Sequence, residues 1–384
     1  MPAFDKAEYR ARVAAVSAAM EVSGIETLVI LHERHLCYLT GYEGRSDYVP
    51  QVGILRLGDS DVTLVLREMD IHCAYPTVYL DPDKVDFYPE HYIGTTQRTP
   101  WEVIGKKILE KAGPGRIGAE LSASSFSHAD FVALSTQLGG RELIDASGVV
   151  KGVTIRKSPA EIDYMRKAAA IVDNALGNGI ATVAEGVRQC DVAARIQHDL
   201  AAGLPEFGGD ASKFVTMPTG PGVAQAPHLK WTDAPFRQGD QTNFEVGAYV
   251  HRYCCALSRT SIVGPPSDRL RFVHEAVTSS WEAAFEAVRP GARCSDVHRA
   301  FKAKLAPTGI RKEARIGYSI GIDWNDLCFS LQADDETVLE PGYTMHIIIG
   351  IWEREDAYVF SESVLVGDTK GESLSRMPRD LFVR

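Results

Sequence analysis

The stretch IRKSPAEIDYMRKAAAIVDNAL constrains the fold most, because it marks a sharp helix start between two halves of different texture. Ser158 is placed to cap this helix, Pro159 suits its first position, and Glu161 is the acid of a capping box. A chain of 384 residues is also longer than one ordinary hydrophobic core requires. We therefore predict two domains, residues 1–152 and residues 153–384.

The first half alternates helix and strand signals, a pattern typical of α/β domains. Apolar residues recur at helical spacing from Asp5 to about Val22, and Gly24 follows as a stop. A turn at residues 58–60 separates two short apolar runs, which indicates a hairpin. Further signals are the strand-like runs IETLVILH and RIGAEL and the helical run WEVIGKKILEKAG. The N-terminal domain is thus predicted to be α/β.

The second half interleaves longer helices with long apolar strands. Helical patterns cover about residues 190–202, 268–288 and 295–305. Between and after them come the strand-like runs QTNFEVGAYV, YTMHIIIGIW and YVFSESVLVG. This order predicts an α+β domain.

Composition and charge exclude several classes of function. A formal net charge of −10 disfavours a nucleic-acid partner, which would need a basic stripe, so a small molecule is the expected partner. The seven cysteines form no CxxC pair, which argues against a secreted disulfide scaffold. The N-terminus carries acids and arginines, and no run approaches the length of a membrane span. We therefore expect a cytoplasmic protein that does not bind a membrane.

Five polar residues of the second half lie beside glycines or within apolar strands. Each has an ordinary alternative as an exposed or hydrogen-bonded structural residue. If Glu245 faces inward from its apolar strand, burial raises its pKa and suits it to proton transfer. The five are His228 in the loop PTGPGVAQAPHLKW, Glu245 in NFEVGAYV, Tyr318 in RIGYSIGIDW, His346 in YTMHIIIGIW and Glu362 in YVFSESVLV.

Their order and spacing resemble the motifs of a known superfamily. The segment GDQTNFEVGAYVHRYCCALSRTSIVG resembles a peptidase hairpin with two aspartates eleven residues apart and a closing Arg-Thr. GYSIGIDW, LEPGYTMHIIIGIW and SESVLVG resemble the following motifs of the same family. The chain is identified as a member of the creatinase and aminopeptidase P superfamily. The resemblance implies a creatinase-type N-terminal domain and a pita-bread catalytic domain.

The metal ligands of these peptidases occupy five places in the motifs. A dinuclear centre needs hard oxygen ligands converging from several elements, and here at most two of the five places keep a carboxylate. We therefore predict no metal site and no cofactor. The five places hold Glu245, Ala256, Tyr318, Ile348 and Ser361, or Glu362 in the last place if the match slips by one residue.

The metal-free branch of the superfamily includes creatinase and ectoine hydrolase. GYEGRSDYVPQ, the APHLKWTD loop, RYCCALSRT and GYSIG followed by DW resemble segments of ectoine hydrolase-like proteins. This resemblance implies opening of the ectoine or hydroxyectoine ring to N-acetyl-diaminobutyrate. No metal is needed for that reaction, because an amidinium is already electrophilic whereas a peptide carbonyl needs a Lewis acid or oxyanion hole.

The resemblance also implies catalytic roles for four residues. Glu245 pairs with the amidinium and then activates water or attacks directly, and these two possibilities stay open. Glu362 is expected to carry the proton to the leaving nitrogen. His228 holds the substrate or orients water, and Tyr318 donates a hydrogen bond to the developing tetrahedral centre.

Four further residues are candidates for substrate binding. Arg259 and His346 either bind the substrate carboxylate or only brace the strands. Trp324 and Tyr48 offer aromatic faces to a cationic ring. Tyr48 belongs to the first domain, and the resemblance implies that it reaches the partner's pocket in a homodimer.

Three other functions are consistent with the same scaffold. Xaa-Pro peptidase activity would need the five metal ligands. A creatinase-like amidinohydrolase would carry Glu just before the Arg-Thr pair, where this chain has Ser258. The third alternative is a binding module that keeps the fold but has lost catalysis. The Cys254-Cys255 pair and the short loop from Ile322 to Leu331 are further departures that bear on the substrate.

Overall fold

The computed structural model describes residues 2–46, 48–210, 214–324, 326–353 and 356–384. Its contacts divide the chain into two compact units, Met1–Thr154 and Ile155–Arg384. This division falls two residues after the predicted one, at the end of a helix that precedes Ser158. No helix among the described residues is both long and apolar enough to cross a membrane.

The described part of the first unit forms a six-stranded mixed sheet with helices, and the α/β prediction is confirmed. The strand order is β4-β3-β2-β1-β5-β6, with β1 antiparallel to β2 and parallel to β5. In chain order the elements are α1 Lys6–Ser23, β1 Thr27–Ile30, α2 Glu33–Thr40, β2 Val52–Arg56, β3 Thr63–Arg67, α3 Ile71–Ala74, β4 Val85–Tyr88, α4 Trp101–Lys111, β5 Ile117–Ala119, α5 His128–Gln137, β6 Leu143–Asp145 and α6 Ser147–Thr154.

Local sequence signals account for the first helix and the hairpin. The Asp5 side chain accepts a hydrogen bond from the backbone of Glu8, and Gly24 ends α1 in the left-handed conformation at φ 66°. Strands β2 and β3 pair antiparallel across the turn at residues 58–60. Both predicted elements are confirmed.

The second unit is α+β, as predicted, and is built on an eight-stranded sheet. The main strand order is β10-β11-β12-β9-β8-β7, with β13 pairing to β12 and β14 to β9. In chain order the elements are α7 Pro159–Thr182, α8 Gln189–Ala202, β7 Val215–Thr216, β8 Gln241–Val250, β9 Tyr253–Ile262, α9 Asp268–Ala287, α10 Cys294–Leu305, β10 Gly317–Ser319, β11 Thr344–Ile351, β12 Tyr358–Val366, β13 Gly371–Ser373 and β14 Phe382–Val383.

Helices α7 and α9 pack against the second sheet. The capping box predicted at the start of α7 is present, with Ser158 and Glu161 bonded reciprocally. Glu161 also accepts a 2.8 Å hydrogen bond from the hydroxyl of Tyr253, which ties α7 to β9. Trp281 of α9 packs edge-on against Phe360 of β12 within a core cluster of this unit. Both helices therefore pack against the sheet that carries the strands described below.

Candidate active site

A row of five residues crosses five strands of the second sheet. The backbone register pairs Thr216 with Glu245, Glu245 with Ser258, and Ser258 with Ser361. Ser361 in turn pairs with Ile348. Residues directly opposite each other in a ladder project from the same face, so these five side chains share one face of the sheet. Glu245 supplies the carboxylate of the row.

Glu245 sits in an unusually dry environment for an acid. Its side chain is 7% exposed, and burial raises the pKa of its carboxyl to about 7. Two hydroxyls flank it, from Thr216 and Ser258, and both are buried without a hydrogen-bond partner in the part of the chain that the structure describes. Buried polar groups are nearly always bonded, so these two hydroxyls have capacity for a bound molecule.

The side chains of Tyr318, Trp324 and His346 lie together on the same face of the sheet. His346 Nε2 lies 2.6 Å from Ser361 Oγ, and its Nδ1 lies 3.3 Å from the hydroxyl of Tyr318. Trp324 donates a 2.8 Å hydrogen bond to that same hydroxyl. The Trp324 and His346 ring centroids are 5.5 Å apart. The structure thus brings four predicted site residues, Glu245, Tyr318, Trp324 and His346, into one site.

Burial fixes the protonation of the two polar rings. It lowers the pKa of His346 to about 3, so the imidazole is neutral near pH 7. Burial and then the charge of Glu245 raise the pKa of the Tyr318 phenol above its ordinary value. Tyr318 therefore keeps its proton and acts as a hydrogen-bond donor. A neutral His346 cannot pair ionically with a substrate carboxylate, and its role in substrate binding stays a prediction.

Two features position Trp324 against the sheet: a glycine that leaves room for its ring, and an ion pair close to it in sequence. A Cβ at Gly247 would lie 2.5 Å from the Trp324 ring, so only glycine allows this approach. Two residues after Trp324 in the sequence, Asp326 forms a buried ion pair with Lys157, at 2.7 Å between Oδ2 and Nζ. These contacts give the Trp324 indole a defined position.

Comparison with known proteins identifies the family. Residues 163–368 match the model of metallopeptidase family M24, and residues 12–153 match the creatinase/prolidase N-terminal domain. The chain belongs to the creatinase and aminopeptidase P superfamily. It is a pita-bread hydrolase with a creatinase-type N-terminal domain.

Relatives of this superfamily match the chain over nearly its whole length. The ectoine hydrolase of Halomonas elongata is 35% identical, covering 99% of this chain and 98% of the relative. An uncharacterised hydrolase/peptidase of Sinorhizobium fredii is 34% identical, covering 99% and 97%. The crystal structure of a dipeptidase from Mycobacterium ulcerans superposes with a TM-score of 0.83, at 25% identity and 99% coverage of both chains.

The five places that hold metal ligands in the peptidases of this superfamily converge here too. Ala256 pairs with Gly247, two residues from Glu245, and Tyr318 pairs with His346, two residues from Ile348. All five side chains therefore project from the face that carries Glu245. The last place is Ser361, because Ser361 and not Glu362 pairs with Ser258. One carboxylate, one phenol and one hydroxyl with two aliphatic side chains do not fit a dinuclear metal centre.

Glu362 lies on the opposite face of the sheet from Glu245. It follows Ser361 in the strand, so its side chain points toward α9, where it is 1% exposed. Arg259 and Arg379 both bond its carboxylate, and Ser373 donates a 2.6 Å hydrogen bond to it. The prediction that Glu362 shares a pocket with Glu245 and carries a proton there is corrected, because the strand alternation separates the two acids.

Arg259 braces the strands and takes no part in the site. It lies on the same face as Glu362 and is fully buried. All five of its N–H groups are used, so none is left for a substrate carboxylate. Nε donates to the Pro378 carbonyl, Nη1 to the carbonyls of Ser258 and Ser361, and Nη2 to Glu362 and the Met377 carbonyl. Of the two roles considered for Arg259, the structure supports bracing.

Two further predicted residues, His228 and Tyr48, also lie outside this cluster. His228 is exposed, although the adjacent Leu229 carbonyl bonds to the backbone of Met217, next to Thr216. Tyr48 belongs to the first unit, is 71% exposed, and accepts a 2.8 Å hydrogen bond from Arg67. Their roles in substrate binding stay predictions.

Sequence reasoning missed Thr216. Its strand, β7, is only two residues long and gives no alternating pattern. Phe214, which comes just before this strand, was missed too, and its ring centroid lies 4.7 Å from that of Trp324. Both signals exist only in three dimensions, in the pairing of β7 with β8 for Thr216 and in the ring contact for Phe214.

Proposed function

We propose that this hydrolase opens the ring of ectoine, hydroxyectoine or a closely related cyclic amidine without a metal ion. Water adds at the amidine carbon, one ring C–N bond breaks, and the product is an acetylated diaminobutyrate. The observation that carries this proposal is Glu245, a buried carboxylate set between two hydroxyls with unused hydrogen-bonding capacity. The similarity to an ectoine hydrolase supports the choice of substrate.

Binding of a cation explains why Glu245 is buried. An amidinium that enters the site forms a charge-assisted hydrogen bond with the carboxylate, which favours the ionised form of Glu245 over the neutral one. Thr216 and Ser258 stand on either side and supply hydrogen-bonding groups to the same ligand or to the attacking water. Trp324 offers an aromatic face to a positively charged ring.

Glu245 then acts in one of two ways. As a general base it removes a proton from water, whose oxygen attacks the amidine carbon. As a nucleophile its own oxygen attacks, and water hydrolyses the resulting acyl intermediate. On the base route the departing nitrogen takes its proton from the Glu245 carboxylic acid, and on the nucleophile route it takes the proton of the other amidine nitrogen.

Tyr318 is suited to stabilise the tetrahedral centre. Its phenol keeps its proton, and Trp324 and His346 orient its oxygen. A preorganised donor in a dry site costs no reorganisation during the reaction. His346 serves as a positioning residue, because it links Tyr318 to Ser361 while remaining neutral.

We extend the proposal to location and assembly. The enzyme is proposed to act in the cytoplasm as a homodimer, with Tyr48 of one subunit facing the pocket of the other. Its partner is a small molecule and not a nucleic acid, in keeping with the net charge of −10. Sedimentation of wild type and Tyr48→Ala tests this assembly, and a monomeric, fully active wild type would contradict it.

One experiment tests the function. Purified protein is treated with a chelator, its metal content is measured, and it is incubated with ectoine, hydroxyectoine, creatine and Gly-Pro under NMR observation. We expect ring opening of ectoine or hydroxyectoine at an undiminished rate after chelation. Cleavage of Gly-Pro that depends on manganese would indicate a peptidase, cleavage of creatine an amidinohydrolase, and inertness toward all four a binding module.

A further inference from the structure

Arg315 places a positive charge beside the aromatic part of the site. Its guanidinium carbon lies 4.4 Å from the centroid of the Tyr318 ring, a cation–π contact. The hydroxyl at the far end of that ring is the one bonded by Trp324. Arg315 is itself exposed, so its charge is accessible to an entering molecule.

Arg315 belongs to a basic cluster, formed with Lys302 and Lys312, that has no acid within it. Lys312 is only 8% exposed, and burial followed by the charges of Lys302 and Arg315 lowers its pKa to about 8. In the part of the chain that the structure describes, none of the three forms an ion pair. Glu313, close in sequence, pairs instead with Arg311. Clustered cations without counter-charge favour an anion.

Three other cations among the described residues near the site, and one imidazole, are not available to a ligand. Lys157 pairs with Asp326, and Arg252 pairs with Asp323 at 3.0 Å. Arg259 lies on the opposite face of the sheet with every N–H used, and His346 is neutral. Among the described residues, Arg315 combines contact with the Tyr318 ring, exposure and the absence of an ion pair, so it is available to a ligand seated against Tyr318 and Glu245.

We propose that Arg315, with Lys312 behind it, binds the carboxylate of the substrate. The site then takes small dipolar ions whose cationic end lies at Glu245 and whose carboxylate lies at the basic cluster. This inference rests on the proposed function for its substrate, and it adds the residue that recognises the anionic end.

The test compares ectoine with its carboxamide, in which the negative charge is removed. We expect Arg315→Gln to raise KM for ectoine by about 10- to 100-fold, the usual effect of losing a charge-assisted hydrogen bond, with kcat changed less than about threefold. Wild type should already bind the carboxamide weakly, and Arg315→Gln should not weaken it further. Arg315→Lys should recover part of the affinity. Arg311→Gln, an exposed arginine on the same segment, is the control and should behave as wild type.

Equal losses on both ligands, or no loss on ectoine, would overturn the inference. Calorimetric binding of the same two ligands separates it from the proposed function. If wild type binds ectoine more tightly than the carboxamide without opening its ring, and Arg315→Gln removes that preference, the carboxylate subsite stands and the proposed reaction fails. If wild type binds neither ligand, or binds both equally, the subsite is wrong. Circular dichroism of each variant verifies that it is folded.

Discussion

Ser258 lies directly opposite Glu245 in the ladder between β8 and β9, and among the described residues its buried hydroxyl has no hydrogen-bond partner. Leaving a buried hydroxyl unbonded costs about 1–3 kcal/mol. A ligand that bonds this hydroxyl would remove that cost. Ser258 therefore supports a binding role for this face of the sheet.

Replacing Ser258 by alanine should weaken substrate binding without weakening the fold. We expect Ser258→Ala to raise KM by roughly 5- to 50-fold, and the free energy of unfolding to stay equal or increase. The control is Ser363→Ala. The Ser363 hydroxyl is bonded to both the N–H and the carbonyl of Ala256, so that variant should lose about 1 kcal/mol of stability. A destabilised Ser258→Ala with unchanged KM would assign Ser258 a structural role.

Glu245 carries the chemistry in the proposed mechanism. Glu245→Gln keeps the shape of the side chain and removes the base or nucleophile, so we expect turnover to fall by about 10²- to 10⁴-fold while thermal unfolding stays cooperative. Glu286→Gln, the same change at an exposed position of α9, should retain full activity. Turnover of Glu245→Gln within a few-fold of wild type would remove this residue from the mechanism.

The pH dependence of kcat/KM should report the raised pKa of Glu245. The carboxylate must be ionised to act, and its pKa in the free enzyme is raised to about 7 by burial. Lowering the pH through that value protonates it, so kcat/KM should be constant above about pH 8 and fall tenfold per unit below about pH 6. Initial rates at low substrate concentration measure this profile. A midpoint near the ordinary glutamate value would contradict a buried base.

Glu362 should prove essential to stability and dispensable to chemistry. Glu362→Gln leaves the buried Arg259 without its carboxylate, which we expect to cost about 3–5 kcal/mol. Glu372→Gln, which breaks a half-exposed pair with Arg166, should cost less than about 1 kcal/mol. Urea unfolding measures both. A stable Glu362→Gln whose turnover per folded molecule falls by about 10²-fold or more would restore Glu362 as a proton donor.

Much of the architecture could be predicted because local signals agreed with the fold. The capping box at Ser158 marked the start of α7, and the run Gln241–Val250 corresponds to β8 residue for residue. The motif match also placed Glu245 and Tyr318, since both lie in segments with a fixed glycine pattern.

The orientation of Glu362 could not be predicted for a physical reason. Every residue of β12 is buried, because helices cover one face and the site covers the other. A strand buried on both faces shows no alternation of polar and apolar residues, so the sequence does not indicate which of Ser361 and Glu362 faces Glu245. Only the pairing of Ser361 with Ser258 decides it. The same holds for Arg259, one residue after Ser258.

The bonding of Arg259 has a practical consequence for protein engineering. Two of its five acceptors are the main-chain carbonyls of Met377 and Pro378, and the neighbouring Arg379 shares its carboxylate partner. A deletion that begins at Met377 would remove two hydrogen-bond acceptors of Arg259 and leave part of its buried guanidinium unbonded. Proteolytic loss of residues 377–384 should therefore be monitored as a cause of inactivation.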